Sequence, residues 1–138
     1  MTPFEKMILL RIPADYTWSD VGIVRLGEKG DIAAFTVGDF KDTCLIFCHG
    51  NGETAVSERY WVEKLSAHGI SGICPDYRGY GLSTGPLSER GCYEAAHAAY
   101  EWLLNTKDVS TSRIAVLGYS LGSAVAVELA TSVSLMSM

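Results

Sequence analysis

The sequence predicts an α/β fold in which an N-terminal β-hairpin leads into three parallel strands, with helices on both faces of the sheet. Two observations support this prediction. Three short segments are apolar throughout, without an alternation of apolar and polar residues. Such continuous apolar segments are typical of strands buried on both faces. Helical segments lie between and after them, and strands that alternate with helices favour a parallel sheet. The order along the chain is hairpin, then β-α-β-α-β-α.

Each element has its own local signal. Residues 21–26 and 31–37 predict the hairpin, because the turn Gly27-Glu28-Lys29-Gly30 joins them. The parallel strands are predicted from three segments rich in Ile, Val, Leu or Cys: 43–48, 69–74 and 113–117. The helices are predicted from three segments with helical spacing or a nearly continuous apolar character: 54–68, 88–105 and 122–133. Gly69 is a suitable residue to end the first helix.

The composition indicates one globular domain and excludes several classes of partner. The chain has 138 residues, of which 48% are hydrophobic, so we expect one domain over residues 1–138. A formal net charge of −5 gives no electrostatic reason to bind nucleic acid. No segment approaches the roughly 20 apolar residues that span a bilayer. The apolar run 7–10 is too short for a signal peptide, so we expect a cytoplasmic protein.

The cysteines are Cys44, Cys48, Cys74 and Cys92. Cys44 and Cys48 lie in one predicted strand, about 13 Å apart, so they cannot form a disulfide with each other. We expect buried free thiols. The alternative is a metal site of Cys48, His49 and Cys74, but that spacing resembles no known ligand pattern.

The segment after the third parallel strand carries the chemistry. Strand 113–117 runs into Gly118-Tyr119-Ser120-Leu121-Gly122, and an apolar helix follows at once. A G-x-S-x-G sequence in a strand-turn-helix setting indicates a nucleophile elbow, with the serine strained and its hydroxyl exposed. The helix directs its N-terminal N–H groups at a developing oxyanion. The alternative is an ordinary glycine-rich turn between a strand and a helix.

Two further motifs follow predicted strands directly. They are His49-Gly50-Asn51-Gly52-Glu53 and the segment 76–83, which reads Asp-Tyr-Arg-Gly-Tyr-Gly-Leu-Ser. The carboxyl ends of the strands form the edge at which open α/β sheets place their sites. In this order, the three motifs resemble those of the α/β-hydrolase superfamily, and look most like its Bem46-like, serine aminopeptidase-like branch. The resemblance covers the N-terminal part of that fold, from about residue 21 onward.

The resemblance implies a role for each motif. Ser120 is the nucleophile, and the main-chain N–H groups of Asn51 and Leu121 hold the oxyanion. Structural roles near the site are implied for His49, Gly50, Gly118, Gly122, Asp76 and Arg78. The implied reaction is hydrolysis of an ester, thioester or amide through an acyl-enzyme on Ser120. The substrate is a small molecule or an acyl compound, and no cofactor or metal is implied.

The superfamily places an acid and then a histidine after the nucleophile. Residues 121–138 contain neither Asp nor His, and Glu128 lies inside the predicted helix. Of the earlier histidines, His68 is expected at the opposite edge of the sheet, and His97 is expected to pack against the sheet. His49 braces the oxyanion loop in the resembling family. We therefore expect a partial, truncated domain that is nearly inactive alone, since loss of the base costs on the order of a million-fold in turnover.

Two consequences complete the interpretation. Strand 113–117 is central in the superfamily but would form an apolar edge in this chain. Such edges pair with other chains, so we expect self-association through it. The alternative to a catalytic role is a non-catalytic product of a truncated gene, or a hydrolase-like binding module.

Overall fold

The computed structural model describes residues 9–137. Within this range one sheet contains β1 (Ile23–Leu26), β2 (Ile32–Val37), β3 (Cys44–Cys48), β4 (Ser71–Pro75) and β5 (Ile114–Gly118). The α-helices of the same range are α1 (Arg59–Ser66), α2 (Glu89–Asn105) and α3 (Leu121–Ser137). A short 3₁₀ helix, Thr111–Arg113, precedes β5. No helix in the described range combines the length and the hydrophobicity that are needed to span a bilayer.

The strands lie in the order β1-β2-β4-β3-β5. β1 and β2 form an antiparallel hairpin, and β2 pairs antiparallel with β4. β3 pairs parallel with both β4 and β5. The prediction of a hairpin followed by three parallel strands is therefore confirmed. In the part of the chain that the structure describes, β5 pairs only with β3 and lies at the edge of the sheet.

Alternation along β2 shows that helices cover both faces of the sheet. Ala34 belongs to the large core cluster that includes residues of α2 and α3. Its neighbours Ala33 and Phe35 belong to a second cluster with Val62 of α1. Because successive side chains of a strand point to opposite faces, α1 covers one face and the other two helices cover the opposite face.

Turns and caps explain where several elements begin and end. Gly27 and Gly30 have φ angles of 85° and 64°, and the Gly30 N–H donates to the Gly27 carbonyl at 3.1 Å, as the predicted hairpin turn requires. Ser88 caps α2, because its Oγ accepts from the Gly91 N–H at 2.8 Å. α1 is followed by Gly69, whose φ of 85° reverses the chain.

The predicted start of the first helix, residue 54, is wrong, because α1 begins at Arg59. The Thr54 hydroxyl donates to Asp15 Oδ1 at 2.6 Å, and the Thr54 N–H donates to Ser57 Oγ at 2.8 Å. These bonds hold the segment in turns. Side chains that offer the backbone such local partners compete with helix formation.

All four cysteines are buried and none of them forms a disulfide, as expected. Burial raises the pKa of the Cys48 thiol to about 12. It also raises the pKa of the Cys74 thiol well above the ordinary value. These thiols belong to the core of the sheet, in which a small uncharged side chain packs well.

Candidate active site

Residues 118–122, for which the sequence predicts a nucleophile elbow, form the tight turn between β5 and α3 (the elbow). β5 ends at Gly118, α3 begins at Leu121, and the exposed Ser120 between them has a φ of 55°. A left-handed φ at a residue with a side chain costs on the order of 1–3 kcal/mol, so the surroundings must impose it. They do so through two hydrogen bonds. The Tyr119 N–H donates to the Cys48 carbonyl at 3.1 Å, and the Ser123 N–H donates to the Ser120 carbonyl at 2.9 Å.

The two glycines that flank the serine have no space for a side chain. A Cβ atom on Gly118 would lie 2.2 Å from the Gly122 carbonyl oxygen. A Cβ atom on Gly122 would lie 1.8 Å from the carbonyl oxygen of Cys48 in β3. Both obstacles are backbone atoms, which cannot rotate away. The close approach of the elbow to β3 therefore depends on glycine at both positions.

The loop after β3 lies beside Ser120. A Cβ atom on Gly50 would lie 3.1 Å from Tyr119 Cδ1 and 3.4 Å from Ser120 Cβ. Leu121 is the first residue of α3, so its N–H has no acceptor within the helix. The structure thus brings together three of the sequence-predicted groups: the serine, the start of the helix and the loop that contains Asn51.

The His49 side chain is fully buried and fixes the orientation of this loop. Its Nδ1 lies 2.9 Å from the Gly50 carbonyl oxygen, and its Nε2 lies 2.9 Å from Asp76 Oδ1. Because a trans peptide points its C=O and N–H in opposite directions, the Asn51 N–H points away from His49. The Tyr77 hydroxyl also donates to the His49 carbonyl at 2.6 Å.

Asp76 connects the loop after β4 to the loop after β3. It is completely buried, and its second carboxylate oxygen accepts from the Tyr16 hydroxyl. Burial, followed by the charge of Asp76, raises the pKa of the Tyr16 hydroxyl far above its ordinary value. The Leu82 N–H donates to the same hydroxyl oxygen at 3.2 Å. Asp76 therefore contacts His49, as a brace would, and makes no hydrogen bond to Ser120.

Arg78 lies in a different network. Its Nε donates to Glu94 Oε2 at 2.7 Å, and its Nη1 lies 3.2 Å from Asp31 Oδ2. The same nitrogen donates to the Thr84 carbonyl at 3.1 Å. The hydrogen bond to Glu94 contributes most to raising the pKa of the guanidinium group. Arg78 thus joins the loop after β4 to α2 and to the start of β2.

None of the three histidines, all of which are described, forms a hydrogen bond with Ser120. Both ring nitrogens of His49 have partners, Gly50 and Asp76, so neither is available to the alternative metal site with Cys48 and Cys74. His68 is exposed beyond the end of α1, near the start of β4. His97 Nε2 lies 2.9 Å from Glu128 Oε2 on α3, so the expectation that His97 packs against the sheet is wrong. The side chains of His97 and Glu128 are each about one-third exposed, and their contact joins α2 to α3.

Sequence reasoning missed Glu53. Its Oε1 accepts from the Gly50 N–H at 2.7 Å, and its own N–H donates to the Gly50 carbonyl at 3.3 Å. This reciprocal pattern over three residues resembles a helix capping box. The spacing of Gly50 and Glu53 is the signal that could have predicted the contact.

A cleft of about 570 Å³ opens beside the elbow. Its wall is largely aromatic or aliphatic, with two carboxyl groups, and consists of Phe47, Glu53, Glu58, Trp61, Leu65, Leu117, Gly118 and Tyr119. The cleft lies between α1 and the edge strand β5. The aromatic and aliphatic part of this wall suits an apolar group.

Comparison with known proteins identifies the fold. A family model described as alpha/beta hydrolase fold matches residues 43–132. An uncharacterized protein of Mycobacterium tuberculosis is 43% identical over 86 residues, which make up 62% of this chain and 31% of that protein.

Solved structures of hydrolases share the fold of this chain. A Pyrococcus furiosus esterase superposes with a TM-score of 0.67 at 22% identity, over 88% of this chain and 52% of the esterase. Epoxide hydrolase A from Mycobacterium thermoresistibile gives a TM-score of 0.60 at 25% identity, over 75% of this chain and 32% of that enzyme. The matched region covers about half or less of each of these relatives.

Proposed function

The chain belongs to the alpha/beta hydrolase fold family, and from this premise we propose that it carries the nucleophile and the oxyanion loop of a serine hydrolase. The reaction is hydrolysis of an ester, thioester or amide through an acyl-enzyme on Ser120. The left-handed φ of 55° at this exposed serine is the observation that carries the proposal. Such strain at a strand-to-helix turn is typical of a residue held for chemistry.

Each group has a defined part in the reaction. Ser120 Oγ attacks the substrate carbonyl carbon, and its proton passes to a base while the carbonyl oxygen becomes an oxyanion. The N–H groups of Asn51 and Leu121 donate to that oxygen, and the N-terminal end of α3 adds its positive dipole. When the oxyanion collapses, the bond to the leaving group breaks and the leaving group takes a proton. Water then hydrolyses the acyl-enzyme.

We propose that the base comes from outside these 138 residues, because none of the three histidines forms a hydrogen bond with Ser120. A serine hydroxyl is a poor nucleophile near neutral pH without an adjacent base. Loss of the base costs on the order of a million-fold in turnover. Oxyanion donors and a binding site still provide roughly 10³–10⁴-fold over water. We therefore propose very weak reactivity for this chain alone, and full activity for a protein that supplies the acid and the histidine.

The lack of disulfides among the cysteines supports a cytoplasmic location. All four cysteines are buried and unbridged. Proteins of oxidising compartments tend to pair their cysteines, whereas cytosolic proteins keep them reduced. No cofactor takes part in the proposed reaction, since serine acyl transfer requires only the groups named above.

Labelling with a fluorophosphonate probe, followed by intact mass, tests the proposal. We expect slow addition of one probe molecule to the folded chain, absent in Ser120→Ala and retained in Ser123→Ala. Ser123 is the matched control, because it is an exposed serine three residues away on α3. Equal labelling of Ser120→Ala would refute the assignment of the nucleophile. A folded chain that takes up no probe would favour the hydrolase-like binding module, which the absence of a histidine at Ser120 also permits.

A further inference from the structure

The hydroxyl of Tyr80, in the loop after β4, contacts the loop after β3. Tyr80 is fully buried, and its hydroxyl donates to the side-chain oxygen Oδ1 of the exposed Asn51 at 3.0 Å. Burial raises the pKa of Tyr80 to about 12, so the hydroxyl keeps its proton and remains a donor at neutral pH. The reaction proposed above uses the main-chain N–H of Asn51 but gives no part to its side chain or to Tyr80.

Both the backbone and the ring of Tyr80 are held in place. Tyr80 forms an isolated parallel bridge with Ile12, and the Gly81 N–H donates to the Ile12 carbonyl at 2.8 Å. The Tyr80 N–H donates to the Tyr77 carbonyl at 2.8 Å. The Tyr80 ring lies edge-on to the Tyr77 ring at a centroid distance of 5.4 Å, and 5.5 Å from the centroid of the His49 ring. The hydroxyl is therefore presented at a defined position.

Asn51, by contrast, lies in a turn that leaves it few restraints. It stands between Gly50 and Gly52, and glycine allows the chain more conformations than any other residue. On one side, the Gly50 carbonyl oxygen is held by His49 Nδ1 at 2.9 Å. Among the described residues, none accepts the Asn51 N–H, and the Tyr80 hydroxyl is the hydrogen-bond partner of the Asn51 side chain. The bond to Tyr80 therefore restrains Asn51 from the side opposite to the Gly50 carbonyl.

We propose that Tyr80 is a positioning residue for the oxyanion donor Asn51. The Tyr80 hydroxyl fixes the Asn51 side chain, and thereby the direction of the N–H group of the same residue. An oxyanion donor is most effective when it is already in place before the charge develops, because no reorganisation is then needed during the reaction. The importance for catalysis rests on the proposed function, since the Asn51 N–H is an oxyanion donor only there.

Fluorophosphonate labelling of Ser120 in Tyr80→Phe tests the effect on the reaction, because this substitution removes one hydroxyl and keeps the ring. We expect the maximal labelling rate to fall by roughly fivefold, which corresponds to about one ordinary hydrogen bond. The probe concentration that gives half of the maximal rate should stay unchanged. Tyr100→Phe is the matched control, since it also removes one hydroxyl hydrogen bond, with Thr111 Oγ1 at 3.1 Å, and should label at the unmodified rate.

A double variant separates this contact from a general loosening of the fold. Asn51→Ala keeps the main-chain N–H but removes the acceptor of the Tyr80 hydroxyl, so it should slow labelling as much as Tyr80→Phe does. The variant with both substitutions should be no slower than either single variant, because all three lack the same bond. Losses that multiply in the double variant would overturn the inference, as would an unchanged rate in Tyr80→Phe.

Relaxation of ¹⁵N nuclei tests the positioning without relying on the reaction. We expect the order parameter of the Asn51 main-chain amide to be about 0.85 in the unmodified chain, and to fall below about 0.6 in Tyr80→Phe and in Asn51→Ala. Asn51→Asp retains a side-chain acceptor and should keep the unmodified value. The amide of the buried His49 is the internal control and should stay rigid in all of these proteins.

An Asn51 order parameter that is the same in all four proteins would overturn the inference. If Tyr80→Phe does not fold, the contrast between Asn51→Ala and Asn51→Asp still decides the matter. If the order parameters change as expected while Ser120 is never labelled, the proposed function fails and the restraint of Asn51 by Tyr80 stands. If Ser120 is labelled but neither the rate nor the order parameter responds to Tyr80→Phe, only the present inference fails.

Discussion

Gly122 packs directly against the carbonyl group of Cys48, so closely that a Cβ atom on it would lie 1.8 Å from the oxygen. This contact joins the first turn of α3 to the end of β3. It thereby sets the distance between the turn at Ser120 and the loop that begins at His49.

Gly122→Ala should therefore destabilise the protein strongly, although alanine is the better helix former by about 1 kcal/mol. We expect the free energy of unfolding to fall by roughly 3 kcal/mol or more, because the overlap is with backbone atoms. Urea denaturation at pH 7 measures it. Gly52→Ala is the matched control, since Gly52 has a φ of 79° but no atom within 4 Å of an added Cβ. We expect Gly52→Ala to lower the free energy of unfolding by only about 1–2 kcal/mol, the cost of an alanine in the left-handed conformation. Equal losses in both variants would contradict the close contact.

The buried pair of His49 and Asp76 should contribute more to stability than an exposed pair. In Asp76→Asn, the amide NH₂ group faces another donor, either the His49 N–H or the Tyr16 hydroxyl. We therefore expect the free energy of unfolding, measured by urea denaturation, to fall by about 2–4 kcal/mol. Glu63→Gln removes the exposed contact with Arg59 and should cost about 0.5 kcal/mol or less. Similar losses would show that the buried contacts of Asp76 are not formed in solution.

The Glu58 carboxyl should make stability depend on pH. Its pKa is raised in the folded protein from 4.5 to about 7, so the folded state binds the proton more tightly. The resulting stabilisation is fully present below pH 4.5, and it is lost as the pH rises towards 7. Glu58→Gln removes this dependence. We expect its melting temperature, relative to that of the unmodified chain, to increase between pH 5 and pH 8. A constant difference over that range would show that Glu58 titrates normally.

The core thiols should be protected from modification. At pH 8 a thiol with a pKa of about 12 is roughly a thousandfold less ionised than an ordinary one, and burial also blocks access. We expect Ellman's reagent to react with four thiols in urea, and at least a hundredfold more slowly in the folded chain. Rapid reaction of one thiol without denaturant would show that its strand is exposed.

The edge strand should mediate self-association. Leu117 of β5 is 48% exposed and Val21, before β1, is 87% exposed. Leu117→Lys places a charge on the open edge, so we expect it to reduce the weight-average mass in sedimentation experiments. Val21→Lys adds the same charge at a more exposed residue just before β1, at the opposite edge of the sheet, and should have little effect on association through β5. If both variants associate as the unmodified chain does, the edge is not the contact.

Local patterns were sufficient to predict the strands, the later helices and the tight, glycine-flanked turn at Ser120, because burial and glycine leave signals at fixed spacing. The start of α1 was predicted wrongly, since the hydrogen bond from Thr54 to Asp15 joins residues 39 positions apart. The same limit applies to Tyr16 and Asp76, whose side chains meet across 60 positions. Such contacts depend on the order of the strands, which no local pattern encodes.

The pairing of β5 with β3 also has a consequence for biosynthesis. Arg113, just before β5, donates to the carbonyl groups of Lys41 and Asp42, which are 72 and 71 positions earlier in the chain. Contacts between such distant positions close large loops and form slowly. As the ribosome extends the chain, the loop of His49 emerges long before its counterpart. The two halves of the site can therefore meet only after β5 has been synthesised and has paired with β3.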